Sequence, residues 1–231
     1  DKLSPFFNNK GIFIKLFSKL DIKYIKNINE KNFIINLRKN NYDYAFSFCC
    51  NQIFKNELIS SFRKVINYHS SILPTYKGLN STLWSIFCKE KYTGFSYHYI
   101  NNKIDNGNII YQEKFKINYN YSYKKIEIFK TLLAKKSLQK VISLVSKNFS
   151  GIKQKKKGSY FGNKEIKKLI TFRKIKNIDK IQKIIDIWGG IILIKNNKKY
   201  YITKISHKGK ILRISNYPVL IYKFIKLFKR N

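Results

Sequence analysis

Several residue types are scarce in this sequence of 231 residues. It has no methionine, three cysteines and three prolines. Cys49 and Cys50 are adjacent and only one further cysteine is present, so we expect no disulfide framework. We therefore expect a reducing cytosol as the compartment and core packing as the role of this pair. A natural full-length chain begins with methionine, whereas this one begins with Asp1, so we expect an N-terminal segment to be missing.

The sequence is also poor in acidic residues, with 12 against 48 basic residues and a formal net charge of +36. A charge of this size is typical of proteins that bind RNA or a membrane surface. However, arginine, which recognises phosphates and bases in a bidentate manner, is present only at positions 38, 63, 173, 213 and 230. Because Lys, Asn, Ile, Tyr and Phe are enriched along the whole chain, we interpret the charge as compositional drift. A polyanion-binding face stays open as the alternative.

The chain contains no long hydrophobic run. No stretch approaches the roughly 18 apolar residues of a membrane span, and no signal peptide opens the sequence, so we expect no membrane partner. Hydrophobic residues at 44% and aromatic residues at 16% predict a folded protein. The length suits one core with a small appendage, since single domains commonly contain about 100 to 200 residues.

The N-terminal part has a pattern that alternates helices and strands. Apolar spacing predicts helices over residues 10–20 and 29–40, the second with Asn29 as its N-cap. A short strand at 22–26 and an aromatic-rich, buried strand at 42–49 flank the second helix. This βαβ order predicts an α/β fold, in which a parallel sheet carries helices on its faces.

Later segments predict two further helices and a separate C-terminal region. The helices cover residues 81–90, where Ser81 can act as the cap, and 121–147. We expect a catalytic domain over 1–148, a lysine-rich linker at 149–160, and a small α+β region over 161–231. In that region the expected elements are a helix at 178–188, a hairpin at 191–203 that turns at Asn196 and Asn197, and a strand at 211–214.

The scarce chemical groups collect between residues 65 and 112. Asn67 and His69 stand at the end of a predicted strand, and Asp105 lies in a turn between two strand-like runs at 93–100 and 104–112. Ligands of open α/β sheets bind at the carboxyl ends of strands, so these three side chains are candidates for one site. The alternative is a structural histidine and an aspartate that only forms a turn.

These segments resemble a known family. N-Y-H-S-S-I-L-P-T-Y-K-G, T-G-F-S-Y-H and D-N-G-N-I-I-Y-Q, in this order, are similar to the signature of the 10-formyltetrahydrofolate-dependent formyltransferases. That family includes enzymes for glycinamide ribonucleotide, methionyl-tRNA and nucleotide-linked amino sugars. The resemblance implies an open, mostly parallel, Rossmann-like sheet. It also implies that the chain lacks the first strands, because family members carry a longer segment before the Asn-x-His strand.

The resemblance further implies that Asn67, His69 and Asp105 form a catalytic triad. Formyl transfer to an amine passes through a tetrahedral oxyanion, and the Asn67 amide and His69 imidazole can donate hydrogen bonds to it. Asp105 would hold His69 in one tautomer, favour its charged form and relay the proton that leaves the amine. This chemistry uses no metal and no covalent enzyme intermediate.

The remaining expected contacts also come from the resemblance. The co-substrate is 10-formyltetrahydrofolate, and the residues expected to line its pocket are Ser71, Ile72, Leu73 and Pro74, with Asn51, Gln52 and Ile53 placed there by position only. His98 and Gln112 are expected to contact the acceptor. His98 and the short C-terminal tail favour a nucleotide-linked amino sugar as the acceptor. The alternatives are initiator methionyl-tRNA and a non-catalytic, basic RNA-binding protein of the same fold; DNA is not an expected partner.

Overall fold

A computed structural model of the chain describes residues 25–50, 52–155, 158–206 and 208–215. The chain divides into two compact units. The described residues of the first unit end at Phe161. Residues 86–88 are not part of the first unit; they belong to the second unit, together with the described residues after Phe161. The helix predicted over 10–20 lies outside the described residues. So does most of the strand predicted at 22–26, and its two described residues are not in a strand.

Helices and strands alternate along the first unit. They are α1 (Lys31–Asn40), β1 (Tyr44–Phe48), α2 (Asn56–Ile59), β2 (Lys64–His69), β3 (Lys77–Gly78), α3 (Ser81–Phe87), β4 (Tyr92–Tyr99), β5 (Ile109–Lys116), α4 (Tyr123–Ser146) and β6 (Tyr160–Phe161). The main sheet has the order β1-β2-β4-β5, and β3 pairs separately with β6. The strands predicted around Asn67, at 93–100 and at 104–112 correspond to β2, β4 and β5. The third of them begins later than predicted and continues past Gln112.

The main sheet combines both kinds of pairing. β1 is parallel to β2, whereas β2–β4 and β4–β5 are antiparallel. The expected parallel pairing thus occurs where α2 connects two strands. The antiparallel pair β4–β5 is joined by nine residues, 100–108, whereas parallel neighbours need a crossover of about a dozen residues or more, usually with a helix.

Helix α4 covers the sheet and completes the core of the first unit. Its spacing of apolar residues places Ala134, Val141 and Val145 against the sheet. The Tyr97 hydroxyl donates to the Ala134 carbonyl oxygen at 3.0 Å, so the helix is also fixed by a buried hydrogen bond. The sheet residues in this cluster are Ile66, Phe95, Tyr97, Tyr99 and Ile110.

Three local predictions near the N-terminus are wrong. The N-cap of α1 is Glu30, and the Asn29 side chain instead joins two loops by accepting from the Lys55 N–H and donating to the Ile53 carbonyl oxygen, both at 2.9 Å. Strand β1 is half exposed, because β2 is its sole neighbour among the described strands. The cysteine pair that follows β1 is exposed and fills no core.

Residues 149–160, predicted as a linker, make specific contacts with the first unit. Ile152 forms an isolated bridge with Ile109, and β6 adds a parallel partner to β3. Phe161 stacks on Trp84 with ring centroids 4.1 Å apart, which confirms Trp84 as a core residue. The division into domains at 148 and 160 stays a prediction.

The described part of the second unit after Phe161 contains both helices and strands. It contains α5 (Asn163–Ile170), β7 (Thr171–Phe172), α6 (Ile178–Trp188), β8 (Ile191–Lys195), β9 (Lys198–Ile205) and β10 (Ile211–Ser215), with sheet order β10-β9-β8-β7. The hairpin turns at Asn196 and Asn197, whose φ angles of 49° and 57° suit a type I′ turn. In the described stretches of the chain, no helix has the length and apolar character that a membrane span requires.

Candidate active site

Two neighbouring strands place three polar side chains on one face of the main sheet. Asn67 and His69 are two residues apart on β2, so their side chains point to the same side. His98 on β4 is the direct cross-strand partner of Asn67 in the antiparallel ladder, and facing residues of a ladder share a face. The sheet therefore brings His98, which we had predicted as an acceptor contact, into contact with Asn67 of the candidate triad.

Asp105 reaches this face from the turn between β4 and β5. Its backbone is left-handed, with φ of 48°, a conformation that aspartate tolerates better than most residues. The turn also depends on Gly107, where an added Cβ would lie 1.8 Å from the Tyr99 carbonyl oxygen. The predicted convergence of Asn67, His69 and Asp105 is present in the structure.

The Asp105 carboxylate is the centre of the site. Oδ2 accepts from the Gly78 N–H at 2.8 Å and lies 3.5 Å from His69 Nδ1. Oδ1 lies 3.4 Å from His98 Nε2 and 3.5 Å from Asn67 Nδ2. Burial raises the pKa of Asp105, but a hydrogen bond from the protonated form of His98, the charge of the protonated form of His69 and the Gly78 N–H together lower it to about 2. The carboxylate is therefore ionised at neutral pH.

His69 has a defined tautomer. Its Nε2 lies 2.8 Å from the Tyr76 carbonyl oxygen, which can only accept, so Nε2 carries the proton and Nδ1 faces Asp105. Burial lowers the pKa of His69 and outweighs the opposing charge of Asp105. Asp105 favours the charged form of His69, as we had expected, but burial of the ring has the larger effect on the pKa, so the imidazole is neutral near pH 7.

His98 determines how the Asn67 amide is used. In the neutral form of His98, the proton is on Nδ1, which lies 2.8 Å from the Tyr99 carbonyl oxygen, and Nε2 is an acceptor for Asn67 Nδ2 at 3.1 Å. The second hydrogen of the Asn67 amide has only the long contact of 3.5 Å to Asp105. This N–H is the one available to a developing negative charge.

Side chains from β4 and β5 fix the backbone of the loop that we predicted to bind folate. The Ser96 hydroxyl donates to the Ser71 carbonyl oxygen at 2.6 Å and accepts from the Leu73 N–H at 3.0 Å. Gln112 Nε2 donates to the Leu73 carbonyl oxygen and to Ser96 Oγ, both at 2.8 Å. We had predicted that Gln112 contacts the acceptor. Its amide instead uses its N–H donors to fix this loop.

Within the same loop the side chains differ in exposure. Leu73 is buried, whereas Ile72 and Pro74 are half-buried, so the latter two are the side chains that a ligand can reach. The Ser71 hydroxyl is already used, since it donates to the Thr75 carbonyl oxygen at 2.6 Å.

The candidates after β1 have different surroundings. Asn51 lies outside the described residues. Gln52 binds backbone groups of residues 26 and 28, which accounts for both ends of its amide. Ile53 is 68% exposed, so it remains a candidate for contact with a ligand. Because β1 and β2 are parallel, Ile53 and the Ile72 loop follow the same edge of the sheet.

Sequence reasoning missed two groups that hold the site. Gln154 donates to the carbonyl oxygens of Asp105 and Gly107, at 3.0 and 2.8 Å. Lys130 is fully buried and donates to the carbonyl oxygen of Ser70, the residue after His69, at 2.7 Å. Gln154 stands in a lysine-rich stretch without any motif, so nothing in its surroundings singles it out. Lys130 would stand out as a lysine on the apolar face of α4.

The chain is similar to known proteins over much of its length. The model of the family described as "Formyl transferase" matches residues 8–142. A methionyl-tRNA formyltransferase from Borrelia garinii subsp. bavariensis is 32% identical over 150 residues, which cover 64% of this chain and 45% of the relative. A GDP-perosamine N-formyltransferase from Brucella melitensis is 44% identical over 52 residues, or 22% of this chain and 20% of the relative. The chain thus spans less than half of the length of these curated relatives.

The fold also matches a solved structure. A sugar N-formyltransferase from Shewanella superposes with a TM-score of 0.65 at 22% identity, covering 89% of this chain and 82% of the other. This similarity confirms the predicted α/β, Rossmann-like fold. In this chain, the side chains that converge at the candidate site are those at positions 67, 69, 98 and 105.

Proposed function

We propose that this chain, which belongs to the formyl transferase family, moves a formyl group from 10-formyltetrahydrofolate to the primary amine of a nucleotide-linked amino sugar. The observation that carries the proposal is the convergence of Asn67, His69 and Asp105 on one face of the sheet. An amide donor, a neutral imidazole and an ionised carboxylate suit acyl transfer to an amine. The proposed setting is the cytosol.

In the reaction, the amine nitrogen attacks the formyl carbon and forms a C–N bond. The bond between the formyl carbon and the donor nitrogen then breaks. The proton lost by the amine ends on the donor nitrogen, so tetrahydrofolate is released and no other reactant is needed. Charge develops on the formyl oxygen in the tetrahedral intermediate, and a proton must be held while the two bonds exchange.

Asn67 is the proposed donor to the formyl oxygen. One of its amide hydrogens is held by His98 at 3.1 Å, which fixes the plane of the amide. The other has only the contact of 3.5 Å with Asp105 and can turn toward a stronger acceptor. Oriented donors of this kind commonly contribute about 10²- to 10³-fold to the rate of acyl transfer.

The pair of His69 and Asp105 is the proposed proton store. A carboxylate with a pKa lowered to about 2 is a weak base by itself. The neutral His69 ring has its free lone pair on Nδ1, 3.5 Å from Asp105 Oδ2. Protonation at Nδ1 therefore creates an ion pair with Asp105, and the pair takes up and returns one proton as a unit.

The formyl donor is proposed to bind along the edge where β1 and β2 end. Ile53 offers an exposed apolar surface there, and Ile72 and Pro74 offer half-buried ones next to His69. Binding sites for ring systems are largely apolar with a few placed polar groups, which fits this combination. The donor supplies the activated formyl group; the chain supplies orientation and charge.

Two observations support an amino sugar as acceptor. His98 is buried against Asn67 and Asp105, and the T-G-F-S-Y-H segment that carries it resembles the sugar and glycinamide ribonucleotide enzymes. The relative with 44% identity over 52 residues is named for GDP-perosamine, a nucleotide-linked sugar.

A second candidate is methionyl-tRNA. The longest of the sequence matches described above is to a methionyl-tRNA formyltransferase, and a net charge of +36 suits a phosphate backbone. A third candidate is a non-catalytic RNA-binding protein with this fold. It differs from the first two because it predicts no chemical turnover at all.

The reaction is tested by incubating the purified chain with 10-formyltetrahydrofolate and each acceptor, and by measuring released tetrahydrofolate and formylated product. We expect the wild type to form product with the nucleotide-linked amino sugar. We expect Asp105→Asn to lower the rate of product formation strongly. Asp186→Asn, the same change at an exposed position of α6, is the matched control. Folded protein without turnover on any acceptor would support the third candidate.

The acceptor is decided by repeating the assay at about 50 and 200 mM salt. Contacts with many phosphates lose orders of magnitude in affinity over this range, whereas a sugar nucleotide with two phosphates loses little. We expect a shallow salt dependence with the sugar nucleotide as the preferred acceptor. Efficient formylation of methionyl-tRNA with no reaction of amino sugars would contradict the acceptor while leaving the reaction class intact.

A further inference from the structure

The segment after α4 contacts both loops of the active site. Its described parts are residues 150–155 and 158–161, which we call the strap. Ile152 exchanges two backbone hydrogen bonds of 2.8 Å with Ile109, directly after the Asp105 turn. In the second described part of the strap, Gly158 approaches Pro74 so closely that an added Cβ would lie 1.9 Å from the Pro74 carbonyl oxygen.

Gln154 holds the backbone of the Asp105 turn. Its Nε2 donates both hydrogens, to the Asp105 carbonyl oxygen at 3.0 Å and to the Gly107 carbonyl oxygen at 2.8 Å. The left-handed backbone of Asp105 is uncommon for a residue other than glycine, so bonds that fix it matter for where the carboxylate points. Among the described residues, no backbone hydrogen bond outside the helices and strands reaches either of these carbonyl oxygens.

The same segment orients the backbone donor of the carboxylate. The Lys77 N–H donates to the Ser159 carbonyl oxygen at 2.9 Å, and the Leu79 N–H donates to the Phe161 carbonyl oxygen at 2.7 Å. Successive N–H groups of an extended chain point in opposite directions. The Gly78 N–H, between these two, therefore points away from β6 and reaches Asp105 Oδ2.

We propose that the strap positions the catalytic carboxylate from both sides, with Gln154 as a positioning residue that acts through the Asp105–Gly107 turn. The inference rests on the proposed function and deepens it. The strap lies beyond residue 142, where the family match ends, and in a stretch whose composition predicts a linker. The active site is thus completed by residues that follow the last helix of its own unit.

One feature of Gln154 separates this role from simple packing. Its Oε1 atom is buried and has no hydrogen-bond partner among the described residues. Burying an unpaired carbonyl oxygen disfavours folding, so a residue selected only for stability would avoid it. The two donated bonds need an amide, however, and an amide brings this oxygen with it.

The test compares Gln154→Met with the wild type. Methionine keeps the length of the side chain and removes both donors together with the unpaired oxygen, so we expect the variant to fold with an unchanged melting temperature within a few degrees. We expect kcat to fall at least tenfold while KM for the formyl donor stays within threefold, because small misplacements of catalytic groups act on the rate. Gln139→Met, on the exposed side of α4, is the matched control and should retain full kcat.

A second measurement does not depend on turnover. Carbon-13 NMR titration of the Asp105 carboxyl group should give a pKa that rises toward the ordinary value in Gln154→Met, since the carboxylate loses its fixed place beside the Gly78 N–H. An unchanged Asp105 titration with kcat within twofold of the wild type would overturn the inference. If the wild type itself forms no product, the proposed function fails, and the titration still decides the role of Gln154. Should the methionine variant not fold, Gln154→Asn serves instead, because its shorter amide cannot reach both carbonyl oxygens.

Discussion

The Asp105 carboxylate is the charged group at the centre of the candidate site. Four nitrogen atoms lie within 3.5 Å of it, from Gly78, His69, His98 and Asn67. The protonated forms of His98 and His69 and the Gly78 N–H lower its pKa to about 2 even though burial acts in the opposite direction. The consequence for chemistry is that Asp105 works with His69 and not alone. The carboxylate is a weak base at so low a pKa, whereas the neutral imidazole has a free lone pair on Nδ1, and the charge of Asp105 favours its protonation.

If His69 and Asp105 act as one unit, their substitutions should not be additive. We expect His69→Ala and Asp105→Asn each to lower turnover by roughly 100-fold, the common scale for losing an acid–base group. The double variant should lose little more than either single variant, since residues of one catalytic unit fail together. Steady-state kinetics of the three variants measures this, and a double loss equal to the product of the single losses would show two independent groups.

The lowered pKa of Asp105 also predicts a dependence of stability on acid. A carboxyl with a depressed pKa in the folded state stabilises the protein above its unfolded pKa, near 3.8, and this contribution is lost as the pH falls toward 2. Between pH 5 and pH 3 the wild type should therefore lose about 1 kcal/mol more unfolding free energy than Asp105→Asn. Urea unfolding at both pH values measures the difference. Asp186→Asn should follow the wild type, and parallel losses in Asp105→Asn would contradict the assigned pKa.

At the scale of elements, α4 is tied to the active-site loop by a buried lysine. Lys130 Nζ donates to the Ser70 carbonyl oxygen at 2.7 Å and to Thr82 Oγ1 at 2.5 Å, and lies 3.9 Å from Glu127 Oε1. Thr82 is on α3, so a single side chain joins two helices to the residue after His69. Burial lowers the pKa of Lys130 to about 8, although the charge of Glu127 acts against this.

A lysine with a depressed pKa makes stability rise with pH. Between pH 8 and the unfolded pKa of 10.5 the unfolded chain binds the proton that the folded chain has lost, so deprotonation favours the folded state. From pH 7 to pH 10 the stability of the wild type relative to Lys130→Met should increase by on the order of 2 kcal/mol. Denaturant titrations at several pH values measure this. Lys136→Met, on the exposed face of the same helix, should show no such trend relative to the wild type. A flat difference for Lys130→Met would mean that the buried amine stays charged.

At the scale of the whole molecule, the outstanding property is the formal net charge of +36. The lysines that produce it are spread along both units, and arginine is rare, so the charge has no evident single target. Charge of this kind gives binding to polyanions that depends on salt and not on sequence.

We therefore expect the chain to bind initiator tRNA no better than an unrelated RNA of equal length. Both affinities should fall by orders of magnitude between about 50 and 200 mM salt, because counterions are released from the phosphates. Fluorescence anisotropy with both RNAs measures the ratio. A preference for initiator tRNA of more than tenfold at the higher salt concentration would contradict compositional drift as the origin of the charge and would favour methionyl-tRNA as acceptor.

Local patterns in the sequence predict much of this fold. The helix at 178–188 and the hairpin turning at Asn196 and Asn197 are confirmed, because apolar periodicity and turn chemistry act over a few neighbouring residues. The Asn-x-His strand is confirmed for the same reason, and its motif identified the candidate triad before any contact was known. Predictions that needed knowledge of neighbours were the ones that failed: the burial of β1 and the cap of α1.

The sequence by itself determined the family, the reaction class proposed here and the identity of the three central side chains, because these depend on an ordered motif. The tertiary structure alone decided how those side chains are used. That His69 is neutral follows from burial, and that His98 contacts Asn67 follows from the register of β2 and β4. That Gln154 holds Asp105 follows from a return of the chain across about fifty residues. Burial, register and long-range return are properties of the packed chain, and no local pattern of residues encodes them separately.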